Sequence, residues 1–206
     1  DLVRSRGLGD VYKRQIIYDH SPQKRLGVYY YESGAYPRKS SVIYDRANSS
    51  FCSLSLDELP EDIYAKTKIF HISSITLALD PSLKETAIKM IHKFHEAGAY
   101  ISFDVNYRAS LWSEEEAKKT VEAIFPYVDF LFVSEETSRR MLQRTGTLEE
   151  IMKGYADTYG CTLIATTRRE AVSPTHHNFN SKIYMNGNFY EEEPYNNIEV
   201  IDRIGS

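Results

Sequence analysis

Between Ile69 and Thr167 the chain alternates short apolar runs with longer amphipathic stretches, and this alternation constrains the fold more than any other feature. The runs Ile69–Ile72, Tyr100–Phe103, Phe130–Val133 and Leu163–Thr167 have the length and β-branched or aromatic content of strands. Between the first two, Asp80 can cap a helix that Pro81 opens. Leu83, Ala87, Met90, Ile91 and Phe94 then recur on one face, and Gly98 can end it. Ser113 with Glu116 has the capping-box pattern for a helix to about Phe125, and Thr147 with Glu150 has it for one reaching Tyr159. A further helix is predicted from Glu135 to about Gln143. Strands separated by helices imply an α/β fold, a mostly parallel sheet with helices on both faces.

The flanks read differently. Leu26–Tyr31 and Ser41–Asp45 suggest two strands joined by a loop with Gly34 and Pro37. Phe51–Ala65 reads as a loop with a short helix around Asp57–Asp62. Asn186-Gly187 between Ile183–Met185 and Phe189–Tyr190 is a hairpin signal, and Val200–Ser206 (VIDRIGS) reads as a last strand ending in Gly-Ser.

Polar groups gather where strands end. The run from Ile101 terminates in Asp104, Asn106 and Arg108, which project to one side if the extended geometry persists. Ligands of open α/β sheets bind beyond the carboxyl ends of the strands, so this is a candidate site. A guanidinium fork there matches a carboxylate or phosphate, although a salt bridge to a surface acid would use the same group. Tyr127–Leu142 is a second strand running into an acidic helix start. In Tyr44-Asp45-Arg46, alternation puts the phenol and the guanidinium on one face, a pairing suited to a hydroxylated acid. In a chain with 16 tyrosines, an ordinary aromatic strand face is the competing reading.

Composition narrows the function class. Two cysteines, Cys52 and Cys161, lack CxxC spacing and support neither a disulfide framework nor a zinc site, which fits a reducing cytoplasm. No run reaches the length of a membrane span. The net charge of −4 argues against nucleic-acid binding, while converging arginines can still hold a small anion. Adjacent His176 and His177 point oppositely on a strand, and His92 and His95 suit a solvated helix face, so no metal site is expected.

Taken together, the segments ISFDVNYRASLW, YVDFLFVSEETSRRML and VIDRIGS resemble the ribokinase-like (PfkB-type) carbohydrate kinases over Leu26–Ser206, most nearly the sugar-acid kinases acting on 2-keto-3-deoxygluconate. The resemblance implies transfer of a phosphoryl group from ATP, with Mg²⁺, to a terminal hydroxyl. It makes residues 26–46 a β-lid in which Tyr29, Tyr44 and Arg46 hold the sugar acid, with Asp104, Asn106 and Arg108 at the acceptor end. Ser134-Glu135-Glu136-Thr137 stands where the family often has Asn-x-x-Glu, leaving Ser134 and Glu136 as candidates beside nucleotide and metal. Thr166-Thr167 and Arg169-Glu170 resemble an ATT-x-RE segment near the nucleotide phosphates, which assigns Thr167 and Arg169 to the nucleotide. Lids of this family often pair between subunits, so a homo-oligomer is a possible assembly. The catalytic base and phosphate anion hole belong to a Gly-Asp segment expected after Ser206, and the first strands are expected before Ile16. Residues 16–206 therefore read as an incomplete, inactive kinase domain with no catalytic residue of its own. A neutral-sugar kinase such as a fructokinase, or a non-catalytic sugar-acid binding protein, is the alternative.

Ser5–Gln15 (SRGLGDVYKRQ) resembles the translation of a sequencing-library adaptor, so residues 1–15 are expected to be non-native. That segment carries a net +2, which moves the remainder from −4 to −6.

Overall fold

The computed structural model describes residues 23–32, 34, 38, 40–173 and 175–201. The adaptor-like segment 1–15, Pro37 of the predicted loop and Asp202–Ser206 of the predicted last strand lie outside these residues.

Two elements stand apart as an antiparallel ribbon, β1 (Val28–Glu32) and β2 (Ser41–Asp45), with Tyr29 opposite Tyr44. A central sheet follows. β3 (Ile69–Ser73), β4 (Tyr100–Asp104), β5 (Phe130–Phe132) and the first half of β6 (Leu163–Ala171) are parallel, with Ser73, Asp104, Phe132 and Ala165 level across them. The carboxyl ends of the four strands therefore open at one edge. β7 (His176–Met185) returns antiparallel beside β6. β8 (Asn188–Glu191) and β9 (Tyr195–Glu199) share the outer edge of β7, β8 along Lys182–Met185 and β9 along His176–Phe179. The hairpin between β7 and β8 turns at Asn186 and Gly187, both at positive φ (51° and 81°), a conformation that Asn and Gly adopt most readily.

The helices begin where their caps predict. Asp80 accepts hydrogen bonds from the Ser82 and Leu83 amides to start α3 (Pro81–Glu96), which follows two short helices, α1 (Ile63–Lys66) and α2 (Ser74–Leu79). Ser113 caps α4 (Glu114–Ile124), and Ser134 caps α5 (Glu135–Arg140). Thr147 and Glu150 form a reciprocal capping box at α6 (Leu148–Tyr159), which Gly160 ends at φ 79°.

One hydrophobic cluster joins sheet to helices. Ile72, Ile101, Phe103, Leu131 and Ile164 alternate onto one face and meet Leu77, Ile91, Val121, Phe125, Ile151 and Tyr155. Arg144 closes the layer at its far end, donating to Glu122 at 3.0 Å and to the Tyr159 hydroxyl at 2.7 Å. Lys182 ties α6 to β8 between Glu149 and Glu191; its bond with Glu149 holds the ammonium pKa above, and the carboxyl pKa below, the usual range. Within the described residues the core helices lie on this face. The opposite face carries Ile69, Tyr100 and Phe132, each 40% exposed or more, with Tyr100 stacked on Phe130 at 5.3 Å.

Several boundaries differ from the sequence reading. The helix expected around Asp57–Asp62 is a 3-10 turn at Leu56–Glu58, with α1 starting only at Ile63, beyond Pro60. α5 stops at Arg140 because Leu142 turns back to the Thr137 carbonyl and Gln143 takes φ 55°. Among the described residues the last strand is β9 (Tyr195–Glu199), which the free edge of β7 selects; of the predicted Val200–Ser206, Val200 and Ile201 are outside strands, although the Val200 amide still donates to the Thr175 carbonyl at 2.8 Å. Arg169 and Glu170 lie within β6, since β7 extends that strand to Ala171.

Candidate active site

A cavity of about 860 Å³ opens at the carboxyl ends of β4, β5 and β6. β4 and its following loop contribute Asp104, Asn106, Tyr107 and Arg108. The start of α5 contributes Ser134, Glu135, Glu136, Thr137 and Arg139, and β6 contributes Thr167, Arg168 and Arg169. Seven candidates that the sequence scatters over 66 positions, from Asp104 to Arg169, thus share one wall: Asp104, Asn106, Arg108, Ser134, Glu136, Thr167 and Arg169.

The loop after β4 is held by its own hydrogen bonds. The Val105 amide extends the ladder to the Phe132 carbonyl at 2.9 Å, and Asp104 Oδ1 accepts from the Asn106 amide at 3.1 Å. The Leu111 amide closes a turn on the Arg108 carbonyl at 3.0 Å, and the Tyr107 hydroxyl donates to the Trp112 carbonyl at 3.3 Å. Regular strand geometry ends at Asp104, yet these bonds keep Asn106 and Arg108 on the cavity wall. Among the described residues the Arg108 guanidinium has one hydrogen-bond contact, 3.5 Å to the Tyr107 carbonyl, so its other donors are available to a ligand.

At α5, Ser134 and Thr137 are bonded to each other. The Ser134 hydroxyl caps the Thr137 amide at 3.1 Å and donates to the Thr137 hydroxyl at 2.8 Å. Both hydroxyls are thus engaged at the helix cap. Glu135 is occupied by Arg139, whose Nε donates to it at 2.8 Å while Nη1 donates to the Gly146 carbonyl at 2.9 Å. Glu136 is exposed, and among the described residues it has neither ion pair nor hydrogen bond. Arg168 and Arg169 likewise have no ion pair among the described residues. Among the described residues the cavity therefore offers the guanidinium groups of Arg108 and Arg169 and the carboxylate of Glu136 without an ion pair.

Tyr29, Tyr44 and Arg46 do not line this cavity. They form their own cluster on the ribbon: the tyrosine ring centroids are 6.1 Å apart, and the Arg46 guanidinium carbon lies 4.4 Å over the Tyr44 ring. Asp45 points the other way and pairs with Arg25, as alternation requires.

Tyr107, Glu135, Arg139 and Arg168 line the cavity although the sequence reading did not single them out. For Arg139 the signal was its i,i+4 spacing from Glu135. Arg168 also borders a second pocket with Glu170, Asn178 and Asn180, on the face of β6 to which alternation sends its side chain.

No cluster of three or more His, Cys, Asp or Glu side chains that could hold a metal ion occurs among the described residues. His92 and His95 pack on the Tyr127 ring at 4.4 and 5.5 Å, and His176 Nδ1 meets the Thr175 hydroxyl at 3.0 Å. Burial pushes the Cys161 thiol up to about 12, which leaves it a poor nucleophile.

Comparison with known proteins gives this arrangement a context. A 2-dehydro-3-deoxygalactonokinase of Haloferax volcanii is 34% identical over 182 residues, covering 88% of this chain and 54% of that protein. The crystal structure of a 2-dehydro-3-deoxygluconokinase from Thermotoga maritima is similar with a TM-score of 0.77 and 32% identity, over 87% of this chain and 56% of that one. A PfkB family carbohydrate kinase from Listeria grayi superposes with a TM-score of 0.79 at 31% identity, over 87% of this chain and 57% of the other. The chain thus spans about half the length of the relatives it matches. Residues 13–177 match the pfkB family carbohydrate kinases, and the chain belongs to that family.

Proposed function

We propose that the protein carrying this chain is an ATP-dependent sugar-acid kinase that phosphorylates 2-keto-3-deoxygluconate or a closely related 2-keto-3-deoxy acid. The observation that carries this reading is the pairing of two separate polar clusters. One is a cavity with Arg108 and Arg169 uncommitted, and the other is a lid with Arg46 stacked on Tyr44. The names of the Haloferax and Thermotoga relatives support the substrate class.

In this reading, Thr167 and Arg169 receive the nucleotide polyphosphate, whose charge matches a guanidinium fork that has no ion pair among the described residues. Ser134 contributes by capping α5 and so fixing where Glu136 stands. Glu136 is the carboxylate available to a hydrated magnesium ion. A carboxylate without an ion pair fits that ion's habit of binding through one or two carboxylates and the nucleotide's own phosphates. Magnesium supplies neutralisation of the nucleotide's phosphate charge when bound. Asp104 and Asn106 orient the acceptor end of the sugar, and Arg108 faces the charge that develops on the transferring group. Tyr29 and Tyr44 bond sugar oxygens while Arg46 pairs with the carboxylate.

We further propose a cytoplasmic protein. Among the described residues no helix is long and apolar enough to cross a membrane, and both cysteines are free and buried. The lid face bearing Val28, Tyr30 and Ile43, exposed and opposite the sugar-acid cluster, is the surface through which subunits would pair.

Calorimetric titration of ATP into the protein at rising salt tests the nucleotide assignment. The expected result is an affinity that falls with ionic strength and drops about tenfold or more in Arg169→Ala, the loss of one charge-assisted contact. Unchanged ATP affinity in that variant would remove Arg169 from the nucleotide site.

A further inference from the structure

One side chain grips the root of the lid. Arg25 donates from Nη1 and Nη2 to the two carboxylate oxygens of Asp45 at 3.0 and 2.5 Å, and Nη2 also reaches the Ala47 carbonyl at 2.6 Å. Its own backbone is anchored: the Arg25 carbonyl accepts from the Ser50 amide at 2.9 Å, and residue 25 is bridged to Ser49. The residues so held, Asp45 and Ala47, flank Arg46.

Arg46 itself has a different environment. Its guanidinium lies on the Tyr44 ring, and among the described residues its buried Nε has no hydrogen-bond partner. A side chain at Gly27 would begin 3.2 Å from Arg46 Cβ, so that wall is closed as well. The Arg25 and Asp45 side chains are 40% and 51% exposed, and an exposed ion pair adds little to stability. Its geometric effect is larger: one planar fork fixes the backbone on both sides of a long side chain that would otherwise lose much conformational freedom on meeting a ligand.

We infer that Arg25 and Asp45 are positioning residues for substrate selection, holding Arg46 on Tyr44 so that its guanidinium is pre-set for a substrate carboxylate. The inference rests on the proposed pairing of Arg46 with the carboxylate of a sugar acid. Neither Arg25 nor Asp45 touches the substrate.

The test is a set of steady-state measurements on the protein carrying this chain, with 2-keto-3-deoxygluconate and fructose as substrates. Arg25→Gln and Asp45→Asn should each raise KM for the acid relative to fructose by about three- to tenfold, a fraction of the effect of removing Arg46, while the acid kcat holds. The double variant Arg25→Gln/Arg46→Leu should show the same acid-to-fructose ratio as Arg46→Leu alone, because nothing remains to be positioned. If Arg46→Leu itself leaves the ratio unchanged, the carboxylate reading fails and the inference fails with it. If Arg46→Leu shifts the ratio while Arg25→Gln and Asp45→Asn do not, or if the double variant is additive, the positioning role alone is overturned. Thermal unfolding of each variant, with Arg25→Lys as the charge-preserving control, identifies a folding defect, which would raise KM for both substrates together and also count against the inference.

Discussion

Replacing Arg108 by leucine should separate catalysis from folding. The backbone around Arg108 is held by the Val105, Asn106 and Leu111 amides and by the Tyr107 hydroxyl, none of which depends on the Arg108 side chain. The guanidinium has one long contact, 3.5 Å to the Tyr107 carbonyl, so its removal orphans no buried group. Unfolding free energy should therefore change by no more than about 0.5 kcal/mol, the range for an exposed residue outside any network. The loss on the reaction is larger. A charge-assisted hydrogen bond contributes about 1.5–3 kcal/mol, and if it forms with charge that develops during transfer, kcat falls about ten- to a hundredfold with KM for the sugar little changed. Urea unfolding and steady-state kinetics on the same preparation measure both. A fall in stability above about 1 kcal/mol, or a rise in KM with kcat intact, would refute the reasoning, because Arg108 would then be a structural group or a ground-state binder.

Two further outcomes follow from the same structure. Glu136→Gln should raise the magnesium concentration needed for half-maximal rate, whereas Glu135→Gln should act mainly through Arg139, whose Nε it accepts; magnesium titration of the two variants distinguishes them. The Cys161 thiol, raised by burial to about 12, binds its proton more tightly in the folded state than in the unfolded chain, so its contribution is complete below about pH 8.5 and is lost as pH rises towards 12. Denaturant unfolding between those values should show stability falling with pH by up to about 1.4 kcal/mol per unit from this group, and Cys161→Ala should remove that part of the slope.

Helices α3, α4 and α6 were legible because their signals are local, whereas α1 and α2 were not. Asp80, Ser113 and the Thr147–Glu150 box each cap the helix that their own side chain specifies. The parallel strands were legible from composition, and the position of Asp104, Asn106 and Arg108 followed from where the apolar run stops. What depended on partners was not. β9 is fixed by the free edge of β7, a pairing that its own residues do not announce. The grip of Arg25 on Asp45 joins residues 20 positions apart through side chains alone, and no periodicity reports such a contact. The bond between the Ser134 and Thr137 hydroxyls is likewise a side-chain contact that the sequence pattern does not report.

Direct phosphoryl transfer tests the central claim most closely. The protein carrying this chain should be incubated with γ-labelled ATP, magnesium and, in separate reactions, 2-keto-3-deoxygluconate, 2-keto-3-deoxygalactonate and fructose, with products identified by mass spectrometry and phosphorus NMR. The account predicts label on the terminal hydroxyl of a 2-keto-3-deoxy acid, with kcat/KM for that acid at least about tenfold above fructose, the difference one carboxylate–guanidinium contact supplies. Preferred transfer to fructose, or binding of the acids with no transfer to any of the three, would contradict it.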